Sequence, residues 1–345
     1  MKKVYTIYTD RLLGALIPLG AALCIPVIFI ILGSDSPIET LKIFFTGPWS
    51  NRWFLGNTLD NMALLLCAAL GASLAFRAGC FNLGGEGQIY LGGCAAAAVL
   101  LSRNQYPDFF ILILAALAAA ACGSIMGGVS GLLRKKFGAS ELITSFLLAA
   151  ALIPVGDYLI FALLRSPDIN LLATDKISAG RTLHYILPPS SLSVSIIYIL
   201  LLIILFHLFI HRTVWGYRFR ISGISPELAL FGGTDPNKRF VPAMIVSGAL
   251  SGLTGFFAVA GTYGMCYQGF SGGLGWNGIA MALIAGNEPL LLIPVVFVFA
   301  SINAGANAVM LQAGFGFETA AFIQAAVLLL AALPFGIDHL KGRRL

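Results

Sequence analysis

Apolar runs and short polar connections alternate along nearly the whole chain. A membrane-spanning helix needs about 20 mostly apolar residues, and by that measure the pattern predicts roughly ten spans. We therefore expect an all-α, polytopic integral membrane protein with a single transmembrane domain over residues 1–345. The cores of the predicted spans are 12–32, 58–76, 80–101, 109–133, 142–164, 192–210, 241–262, 276–286, 290–311 and 319–337.

Composition and charge agree with this picture and set the orientation. The chain is 58% hydrophobic and 10% charged, with a mean hydropathy of +0.90, which excludes an ordinary soluble domain. If both termini are cytoplasmic, most of the 21 Lys and Arg residues fall in cytoplasmic segments, as the positive-inside rule requires. We expect that orientation. The net charge of +6 then reflects topology rather than a nucleic-acid surface.

Two polar, glycine-rich segments interrupt the apolar pattern at matching places. The first runs from Phe81 to Gly93 in span three, and the second runs from Gln268 to Gly278 before span eight. Glycine weakens a helix by about 1 kcal/mol relative to Ala, and broken backbone at membrane depth needs surrounding protein or a water-filled cavity. Paired interruptions of this kind are typical of transporters built from inverted repeats. We expect two inverted halves of five spans, each with a broken helix.

Side chains in the two broken segments are the candidates for a substrate pathway. A carboxylate at the bilayer centre costs at least ~2.5 kcal/mol, so Glu86 is a functional candidate. Aromatic rings stack on the face of a heteroaromatic ring or a sugar, and amides hydrogen-bond its edge. Glu86 also has a structural alternative, in which it caps a broken helix or pairs with Arg77. The predicted pathway residues are Phe81, Asn82, Glu86 and Gln88, with Trp276 and Asn277 opposite.

The longest cytoplasmic connection, residues 211–240, contains a helix-start signature. Ser225 is a candidate N-cap, Pro226 suits the first helical position, and Gly232 ends the helix. The apolar side chains of this short helix fit a groove on another protein. The alternative is an interfacial helix whose apolar face lies in the lipid headgroups.

Motifs that would give the chain its own chemistry are absent from the sequence. There is no G-x-x-x-x-G-K-[ST] phosphate loop, no H-E-x-x-H, no G-x-S-x-G and no histidine or cysteine cluster with ligand spacing. We therefore expect no enzyme activity, no cofactor and no metal site, and an energy supply from an ion gradient or a partner. The histidines fall at span ends or in loops, at His184, His207, His211 and His339.

Four segments match motifs in the order in which one transporter family has them. Residues 75–88 match A-F-R-A-G-x-F-N-I-G-x-E-G-Q, and residues 137–145 match F-G-A-N-E-V-I-T-T. Residues 223–233 correspond to a cytoplasmic coupling segment, G-x-N-P-x-A-A-x-Y-A-G, and residues 278–285 to G-I-A-V-A-L-L-G. The chain thus resembles the permease subunits of ABC importers for nucleosides and simple sugars, a group that includes ribose and branched-chain amino acid permeases. It is most similar to the nucleoside-type branch paired with a basic-membrane-protein lipoprotein.

The resemblance implies a subunit that imports a small polar solute across the bacterial inner (plasma) membrane. A nucleoside is the first expectation, and riboflavin or a simple sugar are alternatives because Ser140 and Ala149 replace amides of the family pattern. The implied partners are a second permease subunit (identical or paralogous), cytoplasmic ABC ATPase subunits that bind ATP and Mg, and an external substrate-binding lipoprotein. The rival function is an ion-coupled secondary transporter that uses Glu86. The residues implied to couple to the ATPase are Gly223, Ser225, Pro226, Glu227, Leu228, Ala229, Phe231, Gly232 and Gly233.

Overall fold

The computed structural model describes residues 23–102, 106–167, 170–235 and 237–316, together with the isolated positions 20, 322, 325 and 329. Within these residues the fold is all-α, as predicted, and extended segments pair only at isolated bridges. The α-helices are α1 (Cys24–Gly33), α2 (Pro37–Thr46), α3 (Arg52–Arg77), α4 (Gly85–Leu100), α5 (Asp108–Phe137), α6 (Glu141–Leu159), α7 (Ser195–Arg212), α8 (Val214–Ile224), α9 (Pro226–Phe231), α10 (Asn237–Phe257), α11 (Leu274–Ile284) and α12 (Pro289–Gln312).

Six of these helices are long and apolar enough to cross a membrane. They are α3, α5, α6, α7, α10 and α12. Helices α6 and α10 each continue into one π-helical turn. Each of the six corresponds to a predicted span. The predicted first span lies in large part outside the described residues, and the predicted tenth span lies outside them except at isolated positions.

The two predicted broken helices are both present and both short. Helix α4 has 16 residues and begins at Gly85 rather than at Cys80, because residues 80–84 form an irregular segment. Helix α11 has 11 residues and follows a turn in which Gly272 and Gly273 have φ angles of 48° and 83°. This left-handed conformation favours glycine, so the glycine-rich composition of the second segment has a local cause.

Each half of the chain encloses the broken helix of the other half. Helix α3 of the first half packs along α11 and α12, and α10 of the second half packs along α4 and α5. This packing leaves α3 and α10 largely buried, whereas α5, α6 and α7 expose most of their apolar side chains, as lipid-facing helices do.

Two helices lie where the sequence pattern predicted only connections. Helix α2 has Pro37 at its first position and Glu39 in its first turn, and α8 starts at a side-chain cap, where Thr213 Oγ1 accepts a hydrogen bond from Gly216 N at 3.0 Å. Both are short, with 10 and 11 residues, and neither has the apolar length of a span. Start signals of this kind are frequent in loops, which is why they were not sufficient to predict these helices.

The helix bundle has two distinct ends. We call the end where α3 and α7 finish and α12 begins the coupling end, because the segment 223–233 packs there. The opposite end contains the starts of α3 and α7 and the finish of α12. The described basic residues that concentrate at the coupling end are Arg77, Arg134, Lys135, Lys136, Arg212, Arg218, Arg220, Lys238 and Arg239.

Candidate functional site

Glu86 lies in the first broken helix, α4, and caps the N-terminus of the second broken helix, α11. Its Oε1 accepts hydrogen bonds from Ser271 Oγ at 2.6 Å and from Gly273 N at 2.9 Å, and its Oε2 accepts one from Gly275 N at 2.8 Å. The first N–H groups of a helix have no partner within the helix and form its positive end, so a carboxylate there is stabilising. The geometry therefore matches the structural alternative predicted for this residue.

Arg77 does not pair with Glu86. Its guanidinium forms an ion pair with Glu288, and its Nε donates to the carbonyl oxygen of Asn287 at 2.6 Å. Ser73 Oγ donates to the same carbonyl at 2.7 Å. The residue thus connects the end of α3 to the connection between α11 and α12, and the predicted Arg77 pairing of Glu86 is wrong.

Asn82 and Gln88 are buried and bind each other. Asn82 Nδ2 donates to Gln88 Oε1 and to Ser247 Oγ, both at 2.9 Å, and Asn82 Oδ1 accepts from Gln88 Nε2 at 3.1 Å and from Gly84 N at 3.0 Å. These bonds hold the irregular segment before α4 against α10. In this conformation the two predicted pathway side chains bind each other and the neighbouring helix.

Phe81 and Trp276 lie at the protein surface. They are 47% and 43% exposed, respectively. The Phe81 ring packs on Phe76 with centroids 5.3 Å apart, and the Trp276 ring packs on Phe146 with centroids 5.9 Å apart. Both rings remain open to a partner or to lipid on their other side.

Asn277, another predicted pathway residue, lines a cavity. It lines a space of about 160 Å³ with Asn61, Asn303 and Asn307. A second cavity of about 260 Å³, at the start of α3, shares those three residues and adds Asn57. We call this pair of adjoining cavities, lined by the five asparagines, the amide cleft.

The amide cleft combines free amides with aromatic rings. Within the described part of the chain, the side chains of Asn61, Asn277, Asn303 and Asn307 make no hydrogen bond, whereas Asn57 Oδ1 accepts two from the backbone and hydroxyl of Ser191. Four unpaired amides in one cleft provide both donors and acceptors to a polar ligand. The aromatic lining residues are Trp53, Phe54, Tyr263 and Phe270.

The spacing of asparagines along the sequence is a signal for this cleft that the family motifs do not contain. Asn57 and Asn61 are four residues apart on α3, and Asn303 and Asn307 are four apart on α12. Residues at i and i+4 lie on the same face of a helix, and amides inside apolar spans are costly unless they have a use. Helical pairing of Asn within or directly beside predicted spans indicates four of the five residues, since Asn57 precedes the predicted span 58–76 by one residue.

Besides Glu86, the carboxylates of Asp60 and Asp157 lie within long apolar helices, α3 and α6. They are therefore also acidic candidates for a functional site. Asp60 is buried beside the amide cleft, and its Oδ2 accepts a hydrogen bond from Ser191 Oγ at 2.9 Å. Asp157 accepts hydrogen bonds from Tyr90 Oη and, at 3.2 Å, from Gln268 Nε2. These contacts fix the connections between helices at the end opposite to the coupling end.

The predicted coupling helix is present as α9, with the predicted ends. Ser225 Oγ accepts a hydrogen bond from Leu228 N at 3.2 Å, Pro226 is the first helical residue, and the helix stops before Gly232. Phe231 is 91% exposed, and Leu228 is also exposed, whereas Ala229 is fully buried. The helix therefore rests on the bundle by its small residue and exposes its large apolar side chains.

The segment before α9 touches the first broken segment directly. A Cβ on Gly223 would overlap the carbonyl group of Arg77 and the backbone nitrogen of Gly79. The coupling segment is therefore in backbone contact with the connection that leads from α3 to α4.

The family described as branched-chain amino acid transport system / permease component matches residues 54–332. The Treponema pallidum protein named "Probable riboflavin import permease protein RfuC" is 38% identical over 321 residues, which cover 91% of this chain and 84% of that protein. The guanosine ABC transporter permease protein NupP of Bacillus subtilis is 25% identical and covers 97% of both chains. The nucleoside ABC transporter permease protein NupB of Lactococcus lactis is 25% identical, over 96% of this chain and 93% of its own. The chain therefore belongs to the branched-chain amino acid transport system permease family: it is the permease subunit of an ABC importer, and ATP hydrolysis takes place on separate subunits.

Proposed function

We propose that this importer transports a planar nitrogen heterocycle, riboflavin or a purine nucleoside, and that the amide cleft contacts it. The observation that supports this proposal is the set of unpaired asparagine side chains beside four aromatic rings. The edge of a flavin or purine ring presents alternating donors and acceptors, which amides match, and its face stacks on aromatic side chains.

The three relatives described above support the same substrate class. Their names refer to riboflavin, guanosine and nucleosides, all of which contain such a ring. Riboflavin is the first choice because the relative named for it is 38% identical to this chain, whereas the two nucleoside relatives are 25% identical. A simple sugar has polar groups but no planar ring, so it would use the amides alone.

We infer that α9 docks into a cytoplasmic ABC ATPase and that its motion reaches the amide cleft by direct contacts. Gly223 touches the backbone at Gly79, and this connection leads into α4, which contains Glu86. Glu86 holds the start of α11, and α11 contains Asn277 of the cleft. The two broken helices would therefore move together when the ATPase subunits close on ATP and Mg.

We also infer that the complete pathway needs a second permease subunit, identical or paralogous. Asn61 and Asn307 are exposed at the surface of the single chain, so the amide cleft is open on one side. The orientation we propose is that of a bacterial plasma-membrane protein with both termini in the cytoplasm. An external lipoprotein would then deliver substrate to the end that contains the amide cleft.

The proposal is tested by ligand-dependent ATPase activity. The permease is co-expressed with the ATPase and permease genes next to its own, reconstituted in nanodiscs and mixed with the lipoprotein loaded with riboflavin, guanosine or glucose. We expect stimulation by the riboflavin-loaded or guanosine-loaded form and none by the glucose-loaded form. Stimulation by glucose alone would overturn the assignment of a planar heterocycle while leaving the importer function in place.

A further inference from the structure

We propose that His207, His211 and Glu288 form a binding site for a divalent transition-metal ion at the coupling end. The sequence predicted no metal site, because Glu288 is 77 residues away from His211 along the chain. The fold places the start of α12 against the last turns of α7 and so brings the three side chains together. This site is independent of the substrate proposed above.

The three possible ligand atoms converge. His207 and His211 are four residues apart on α7, so both rings project from the same helix face, with their centroids 4.6 Å apart. Glu288 Oε1 lies 2.7 Å from His211 Nε2 and 3.7 Å from His207 Nδ1. All three ligand atoms lie within 4.8 Å of one another, a spacing that one metal ion can bridge after small side-chain rotations.

The carboxylate is held in position for this role. Glu288 is 1% exposed and uses a different oxygen, Oε2, for its ion pair with Arg77. Oε1 therefore remains directed at the histidines. His207 Nδ1 is buried and has no hydrogen-bond partner in the described part of the chain, so a metal ion would satisfy an atom that is otherwise unpaired.

The ligand set indicates the kind of metal. Two imidazole nitrogens and one carboxylate oxygen suit zinc and its neighbours among the divalent transition metals rather than calcium or magnesium. Three protein ligands leave one position open, and the adjoining cavity of about 560 Å³, lined by His211 and Glu288, gives water and metal access to it. In the metal-free form His211 Nε2–H donates to Glu288, so binding at Nε2 requires that proton to move to Nδ1 or to leave.

Positive charge near the site limits its affinity. Arg77 and Arg212 lie close enough to His207 to affect it electrostatically, and Arg220 lines the same cavity. The charge of Arg77 is offset by its ion pair with Glu288. We therefore expect binding that is weaker than that of a structural zinc site and that depends on the metal concentration.

A metal at this position would join α7 to α12 beside the coupling segment. Gly223 and Ile224, which precede α9, line the same cavity as His211 and Glu288. Helix α7 continues through α8 into the coupling segment, so any movement of that segment that shifts α7 relative to α12 would have to stretch or break metal–ligand bonds. The expected consequence is metal-dependent inhibition of the assembled importer.

Cobalt binding to the full-length permease in nanodiscs, purified with a tag that contains no histidine, tests the site. The visible spectrum of Co²⁺ reports its coordination, and Zn²⁺ serves as the competitor. We expect one Co²⁺ per chain in the wild type, and a loss of affinity of at least roughly tenfold in His207→Ala and in His211→Ala. His184→Ala is the matched control, because this exposed loop histidine lies outside the cluster, and it should bind like the wild type.

Two results would overturn the proposal: no saturable Co²⁺ signal in the wild type, or equal binding by the wild type and His207→Ala. The wild type alone provides a second measurement if a variant fails to fold, because Zn²⁺ should raise its unfolding temperature. In the assembled importer, Zn²⁺ should slow stimulated ATP hydrolysis in the wild type and not in His207→Ala. Equal inhibition of both would contradict the proposed role of the site.

Discussion

The carboxylate of Glu86 accepts a hydrogen bond from the backbone nitrogen of Gly275 at 2.8 Å, across the boundary between the two halves of the chain. The same carboxylate binds Ser271 and Gly273, so the first broken helix closes the N-terminus of the second. Glycine is required at position 275 because a Cβ there would overlap the backbone of Glu86. The two breaks in the helices are thus one structural unit rather than two separate features.

Replacing Glu86 should destabilise the protein more than it alters transport selectivity. In Glu86→Ala, one buried N–H group, one half-buried N–H group and one hydroxyl lose their acceptor, and we expect a loss of about 3 kcal/mol in the free energy of unfolding. Glu86→Gln keeps one acceptor oxygen and should lose less. Thermal unfolding in nanodiscs measures the difference. Normal stability of Glu86→Ala together with abolished uptake would instead assign this residue a direct role in transport.

Gly275→Ala should be destabilising by about 1–3 kcal/mol, because the added methyl group must push the two broken helices apart. Gly232→Ala is a matched control, since the nearest atoms to a Cβ there lie at 3.5 Å, an ordinary contact distance. Unfolding temperatures of the two variants provide the comparison. Equal temperatures would show that α4 and α11 are not in contact in the folded protein.

Phe231→Ala should weaken binding of the ATPase without changing the stability of the permease. The side chain is 91% exposed, so its removal leaves no cavity, whereas a large apolar side chain seated in a partner groove is worth about 2 kcal/mol, roughly thirtyfold in affinity. Co-purification of the ATPase measures this loss. Phe109→Ala removes a similarly exposed ring on α5 and should have no effect. A comparable loss with both variants would argue against a specific contact at α9.

Asn303→Ala and Asn307→Ala should each lower uptake of the correct substrate roughly fivefold, the value of one hydrogen bond of about 1 kcal/mol. Neither variant should lower stability, because these amides have no partner within the described residues. Uptake of radiolabelled riboflavin or guanosine by cells that lack their own importer measures the effect. Asn170→Ala, in an exposed loop, is the control for the type of substitution. Unchanged uptake in both cleft variants would remove the amide cleft from the pathway.

Features that depend only on residues close together along the chain were predictable from the sequence. The apolar runs predicted the six long helices, the paired glycine-rich segments predicted the two broken helices, and Ser225, Pro226 and Gly232 predicted both ends of α9. Span length, helix capping and glycine turns are local properties, because their free energies arise within a few residues of chain. Motif similarity added the family, which the relatives confirm.

The roles of individual side chains were decided by the tertiary structure. Glu86 is 185 residues from Ser271, and His211 is 77 residues from Glu288, yet each pair is in hydrogen-bond contact. A sequence pattern shows that a carboxylate or an amide lies within a span, but the partner that satisfies it depends on which helix faces lie together. For that reason the sequence by itself determined where the six long apolar helices lie, where two helices are broken and where α9 begins. Packing between the halves determined that Glu86 is a cap, that Asn82 binds Ser247, and that the unpaired amides collect in one cleft.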